Sequence, residues 1–374
     1  MTLIDALRSA PRPATRDLQV AKGTCYALFA YEAAYALDLE VADRRIAAAT
    51  ERQTVKQKRR APAYFEYRPA PLRVTVPAEP IAVGVYRTAG VELVLYDFGA
   101  VSVSYAIPLA GPFAALPDLA GELWGNETLL ADSRRRVEEL LRTLGDAADR
   151  ARIAPFVEDY VVFEIEEFAS PLDAEALWTD QAAMVARILR AETGVLSRQE
   201  IEDAIASRLS FGPDDVTFID SDAALLFDRE GEDVRAVIEL ANTQLLEMRY
   251  LDQDLDDTLE QSYAMLAKRR WGVGGPTLYG RDLRKLARLQ LDHAILFEQV
   301  TNALKLIGEQ YLTRVYQLVS RRFHLGDWDA TISRKLATLE SIYTKTADRQ
   351  ATLRMEVLEW IIIGLIAASI LLAL

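Results

Sequence analysis

The last helix of this chain constrains the fold more than any other feature. Ile332, Leu336, Leu339, Tyr343, Thr346, Gln350, Leu353, Val357 and Trp360 are spaced alternately by four and three residues. Such a heptad seam lines one side of a helix with apolar side chains, which must then meet another helix. The polar seam positions Thr346 and Gln350 lower stability and fix register. The seam runs without a break into EWIIIGLIAASILLAL, whose only charged side chain is Glu359. From Trp360 to Leu374 the run has 15 residues, about 22 Å of helix at 1.5 Å per residue. A bilayer core is about 30 Å thick, so the run is short for a span. Trp360 stands where an interfacial ring belongs, and Arg349 and Arg354 flank it on the near side, as cytoplasmic residues do. A buried helix keeps a polar stripe, whereas 361–374 offers only Gly364 and Ser369. The sequence therefore predicts a short C-terminal transmembrane anchor over 357–374. Its apolar contacts come from Trp360, Ile361, Ile362, Ile363, Leu365, Ile366, Ile370, Leu371, Leu372 and Leu374. Ile332, Leu336, Leu339, Tyr343, Leu353 and Val357 form the assembly seam of a helical hairpin or a homo-oligomeric stalk.

A chain of 374 residues with 51% hydrophobic content buries a full core. Its 43 basic and 56 acidic residues leave a net charge of -13. That excess argues against broad affinity for nucleic acid, and no direct nucleic-acid binding is expected. Arg44, Arg45, Arg52, Lys56, Lys58, Arg59 and Arg60 gather in one stretch, but no aromatic residue is interleaved to stack on a base. One cysteine, Cys25, excludes an internal disulfide and suits a reducing compartment.

The first 22 residues read as a flexible lead-in without the apolar core of a secretory signal. Residues 24–40 are apolar and aromatic, a strand that leads into a helix near 40–52. Period-two alternation through LRVTVPAEPIAVGVY and VELVLYDFGAVSVSYAI predicts strands, with DFGA as a hairpin turn. A Pro- and Gly-punctuated connection follows over 108–125. A helix over 131–149 presents Val137, Leu140, Leu141 and Leu144, and EDYVVFEIEEF is a further strand. This makes 23–170 an α/β domain. Residues 171–270 read as an extension: a helix over 173–192, a second helix capped by Ser197 with Glu200, a strand or two around a DSDA turn, and a helix of up to forty residues. GVGGPTLYG is a hinge, and 281–356 is a long helical hairpin or stalk. The fold class is α+β, ending in the apolar helix.

Candidate chemistry fails on inspection. Asp252, Asp254, Asp256 and Asp257 alternate like a calcium loop, but its glycine and glutamate positions hold Asp257 and Tyr263. His293 falls on an apolar helix side and His324 at a helix end, and with Cys25 they supply no triad or zinc set. No catalytic, cofactor or metal residues are assigned, and the expectation is a non-enzyme without a cofactor. An enzyme reading gains ground if Asp252, Asp256 and a basic residue converge in a cleft.

Taken in order, CYALFAYEAAYALDLEVA, YDFGAVSVSYAI, DYVVFEIEEF, RYLDQDLDDTL and RQATLRMEVLEWIIIGLIAASILLAL make the chain resemble the "required for meiotic nuclear division" family, also described as domain-of-unknown-function family 155. The chain departs from its mitochondrial members by extra helix and strand over about 171–235, by lacking a transit segment and by a shorter apolar run. The resemblance implies a membrane-anchored protein that tethers a partner, a ribosome or another protein, at an inner membrane. Together these readings predict a single-pass scaffold of the cell inner membrane, with most of the chain cytoplasmic. Two alternatives stand beside it: an oligomeric protein shaped like the CorA-type magnesium transporter but without its Gly-Met-Asn signature, and a soluble oligomer with a buried last helix.

Overall fold

The computed structural model describes residues 18–51, 58–60, 70–268 and 310–373. The hinge at 272–280, His293 and most of the lead-in lie outside the described residues, as do Arg52, Lys56 and the 281–309 part of the expected hairpin.

Nine strands join one sheet among the described residues: β1 (Gln19–Glu32), β2 (Lys58–Arg60), β3 (Leu72–Val76), β4 (Gly90–Leu95), β5 (Ala100–Pro112), β6 (Glu158–Phe168), β7 (Arg208–Leu209), β8 (Val216–Ile219) and β9 (Ala223–Phe227). Their spatial order is β7-β8-β9-β6-β1-β5-β4-β3-β2. Every neighbouring pair is antiparallel except β6 and β9, which run parallel. β1 lies at the centre, paired with β5 on one edge and β6 on the other. Its last eight residues, FAYE included, are almost wholly buried, as a strand covered on both faces requires. The strands of 208–227 extend this same sheet, so the added segment builds onto it.

The helices are α1 (Leu39–Glu51), α2 (Leu116–Leu123), α3 (Glu127–Leu144), α4 (Glu175–Thr179), α5 (Ala182–Leu189), α6 (Arg198–Ala204), α7 (Glu232–Lys268), α8 (Gln310–Arg322) and α9 (Leu325–Ala373). The α+β class holds. Two expected elements differ. The connection at 108–125 contains α2, because Pro117 sits in the first turn, where its missing N–H costs nothing. The single helix over 173–192 is two, α4 and α5, broken at Asp180 and Gln181, whose amides both turn back to the carbonyl of Ala176. The cap at Ser197 is present: its Oγ accepts the Glu200 amide at 3.2 Å.

The described residues divide into two compact units. The first comprises those up to Leu246 and those from 310 to Leu325. One face of its sheet carries Phe29 and Tyr31 of β1 and Val103, Tyr105 and Ile107 of β5, packed in a core with Leu119 of α2, Val137 and Leu144 of α3 and Ile188 of α5. The alternate residues of the strands point to the opposite face, as the two-residue period requires. There the part of α7 up to Leu246 and α8 lie, joined to each other by the Tyr316 hydroxyl on Gln244 at 3.1 Å. The second unit comprises Glu247 to 268 and Gly326 onward. It buries Leu251 and Leu255 of α7 and Ile332 and Leu339 of α9. Among the described residues, no helix is long and apolar enough to cross a membrane.

The hairpin turn expected at DFGA joins β4 to β5. Gly99 has φ +107°, and its carbonyl accepts the amides of both Ala33 and Ala34 at 3.2 Å. A Cβ there would lie 1.8 Å from the Ala34 carbonyl oxygen, so only glycine fits.

Candidate functional site

A cleft of about 260 Å³ opens at the starting ends of the parallel strands β6 and β9. Its wall and floor are apolar: Val161 and Phe163 of β6, Ala223 of β9, Leu123 of α2 and Leu189 of α5. Trp124 and Gly125, just past the end of α2, line it too. The indole of Trp124 is 63% exposed, unusual for so large an apolar ring. Asp159 and Asp222, one at the start of each parallel strand, complete the lining. The C-terminal ends of α2 and α5 both reach this cleft, where helix dipoles place partial negative charge. Burial pushes the Asp222 carboxyl above the usual range, and the negative charges of Asp220 and Asp159 push it further, against the pull of Arg190 and Arg322.

Those two arginines are committed beside the cleft. Asp220, in the turn between β8 and β9, is 3% exposed. It accepts Arg190 Nε at 2.8 Å through one oxygen and Arg322 Nε at 3.0 Å through the other. Arg190 also pairs with Glu200 and Asp203, and Arg322 reaches Asp203 at 3.1 Å. The Tyr160 hydroxyl donates to the Asp220 carbonyl at 2.9 Å, and its ring stands edge-on to Phe323 at 5.2 Å. This cluster ties the end of α8 to the sheet.

A second polar assembly lies between the sheet and α7. Glu239 is 1% exposed and accepts from Arg73 Nη2 at 3.2 Å and from Ser102 Oγ at 2.8 Å. Arg73 also donates to Glu92 at 3.1 Å. Burial disfavours the Arg73 charge, but Glu239 and Glu92 outweigh it and hold the guanidinium charged. One turn before, Arg235 stacks over the Tyr26 ring at 4.1 Å and pairs with Glu164 at 3.6 Å. Burial raises the Glu164 carboxyl, with Arg235 opposing. Arg73, Glu239 and Ser102 satisfy one another in part, whereas Arg73 Nε, Arg235 Nε and Nη1 and Glu164 Oε2 are buried without a hydrogen-bond partner among the described residues.

Among the described residues no group of three or more His, Cys, Asp or Glu is arranged to hold a metal ion. Cys25 is fully buried, and burial pushes its thiol well up, away from nucleophilic use.

The structure brings together one group singled out in the sequence. Lys335 of α9 bridges Asp252 and Asp256 of α7, at 2.7 Å to each, and donates to the Asp252 carbonyl at 3.2 Å. Two ion pairs and one hydrogen bond hold the ammonium, so the trio works as a clamp between helices. His324 lies between α8 and α9 with φ +55°. Arg44 is exposed, and Arg45 pairs with Asp146. In the seam, Ile332 and Leu339 are buried, and Leu336 and Tyr343 half-buried. In the apolar end, Trp360, Ile361, Ile362, Ile363, Leu365 and Ile366 are each 52–73% exposed. The side chains of Leu353, Val357, Ile370, Leu371 and Leu372, and all of Leu374, lie outside the described residues.

Sequence reasoning missed the cleft. Its signal was an aspartate just ahead of each of two apolar strands, in EDYVVF and DSDAALLF. Their meeting depends on a parallel pairing between strands about sixty residues apart.

Known proteins add a family. The "Uncharacterized protein MJ0711" of Methanocaldococcus jannaschii is 21% identical over 221 residues, covering 59% of this chain and 66% of the relative, just short of two thirds of its length. No solved structure matches the chain. Residues 22–233, more than half of the chain, match the family described as "Uncharacterized protein MJ0711, N-terminal domain", and the chain belongs to that family.

Proposed function

We propose that this protein is a non-enzymatic scaffold, held at a membrane by the apolar end of α9 and presenting its sheet-bearing unit to a partner. One observation carries the reading: six large apolar side chains between Trp360 and Ile366 are all more than half exposed. Successive helix positions turn by about 100°, so these six residues point around the whole circumference. A second helix of a stalk covers one side of such a cylinder; lipid covers all of it. The polar residues that end at Glu359 and the ring of Trp360 then mark the headgroup level. With about 22 Å of apolar helix against about 30 Å of hydrocarbon, the segment inserts where the bilayer thins locally. The Lys335 clamp supports a structural role, because its acid–base groups are spent on one another. The sequence resemblance drawn above points the same way, toward tethering, with a ribosome or another protein as the partner and the cell inner membrane as the place. The heptad positions of α9 add self-association as a homo-oligomer.

The test is alkaline carbonate washing of membranes that carry the full chain, beside a version ended after Glu356. Retention of the first and release of the second supports the reading. Release of both removes the membrane from it and leaves a soluble oligomer that covers the apolar end by self-association.

A further inference from the structure

The cleft at the starts of β6 and β9 has a composition that selects a ligand. Its floor, Val161, Phe163 and Leu189, is apolar and suits an aliphatic stem. Its lip holds Asp222 and the exposed ring of Trp124, and an indole face attracts a cation. Two helix C-termini reach the cleft and add partial negative charge. Besides Arg322, whose Nε and Nη2 are given to Asp220 and Asp203, the cation that acts on Asp222 is Arg190, adjacent in sequence to two lining residues. Its three donor nitrogens are instead taken by Asp220, Glu200 and Asp203. At about 260 Å³ the cleft is smaller than the roughly 300–1,000 Å³ of sites for drug-sized ligands, and it admits one slender group.

We propose that this cleft binds an organic cation, an ammonium or guanidinium group on a short methylene stem, as on a lysine or arginine side chain or a free alkylamine. The stem lies on Val161 and Phe163, and the charged head lies between the Asp222 carboxylate and the Trp124 face. The inference does not rest on membrane attachment, since every lining residue belongs to the first compact unit and none to α9.

The full chain, in a non-ionic detergent, is titrated calorimetrically with n-butylammonium, with N-acetyl-lysine N-methylamide and with the neutral isostere n-pentanol. Saturable binding of n-butylammonium, at least tenfold tighter than n-pentanol, is the expected result. Binding of the lysine derivative as well identifies a polypeptide side chain as the source; binding of n-butylammonium alone identifies a free amine. Asp222→Asn is expected to weaken n-butylammonium at least fivefold and Trp124→Ala about two- to fivefold, both at surface positions that leave the fold intact by circular dichroism. Equal affinity for n-pentanol, no saturable binding of either cation, or an unchanged affinity in folded Asp222→Asn overturns the proposal.

Discussion

Arg73 and Glu239 stand 166 positions apart in the chain and meet at 3.2 Å between the sheet and α7, with 5% and 1% of their side chains exposed. A buried pair of this kind stabilises little against a well-packed apolar replacement, yet breaking it strands a charge away from water. It matches α7 to one position on the sheet, since a shift of one turn takes Glu239 away from Arg73 and Ser102 and leaves its charge buried and unmet.

Glu239→Leu is therefore expected to cost roughly 3–5 kcal/mol. The double variant Arg73→Met, Glu239→Leu is expected to recover most of that loss, because Glu92 is partly exposed and can turn to water. Chemical denaturation of the two single variants and the double variant measures the coupling. Losses that simply add would show that the pair is not coupled.

Asp132 of α3 accepts the Tyr105 hydroxyl at 2.7 Å and Arg136 Nε at 2.6 Å. Burial alone would raise its pKa, but the hydrogen bonds from Tyr105, Arg136 and Arg135 prevail and hold the carboxyl below its usual range. A carboxylate whose folded pKa is depressed adds stability above its unfolded pKa of about 3.9 and loses it as pH falls through the folded value. Asp132→Asn should cost about 1–2 kcal/mol at pH 7, and the gap to the parent should narrow as pH falls from about 4 toward the folded value. Urea midpoints at pH 7 and pH 3 report it, and a gap that widens in acid contradicts the assignment.

Gly99→Ala places a methyl group on the Ala34 carbonyl, which cannot recede without pulling the Ala33 and Ala34 amides off the Gly99 carbonyl. The expected cost is at least about 3 kcal/mol. Thermal unfolding shows it as a large fall in Tm or as loss of soluble protein. An unchanged Tm would mean that the turn adopts another backbone path.

Asp220→Ala removes the shared partner of Arg190 and Arg322. Amide hydrogen exchange is expected to quicken in α8 and in the turn between β8 and β9, with β1 and β5 unchanged. Uniform quickening across the sheet would show that Asp220 supports the whole unit.

Much of this architecture was legible in the sequence. EDYVVFEIEEF is β6 with the same ends, because its apolar run is bounded by charge on both sides. DFGA is a turn because glycine there takes a backbone angle closed to other residues. The chain hid what depends on distant pairing. Glu239, Asn242 and Gln244 are polar, yet all three are at most 1% exposed, because α7 is covered on every side over 236–244. Nothing near Glu239 in the sequence announces Arg73. The cleft was hidden for the same reason: Asp159 and Asp222 come together only through the parallel pairing of β6 with β9.

Membrane attachment through the end of α9 is the central claim, and flotation on liposomes of phosphatidylcholine and phosphatidylglycerol tests it most directly. The full chain is predicted to float with the vesicles. The double variant Ile363→Asp, Ile366→Asp, whose circular dichroism should match the parent because both positions are exposed, is predicted to stay at the bottom of the gradient. A full chain that remains at the bottom, or a double variant that still floats, contradicts it.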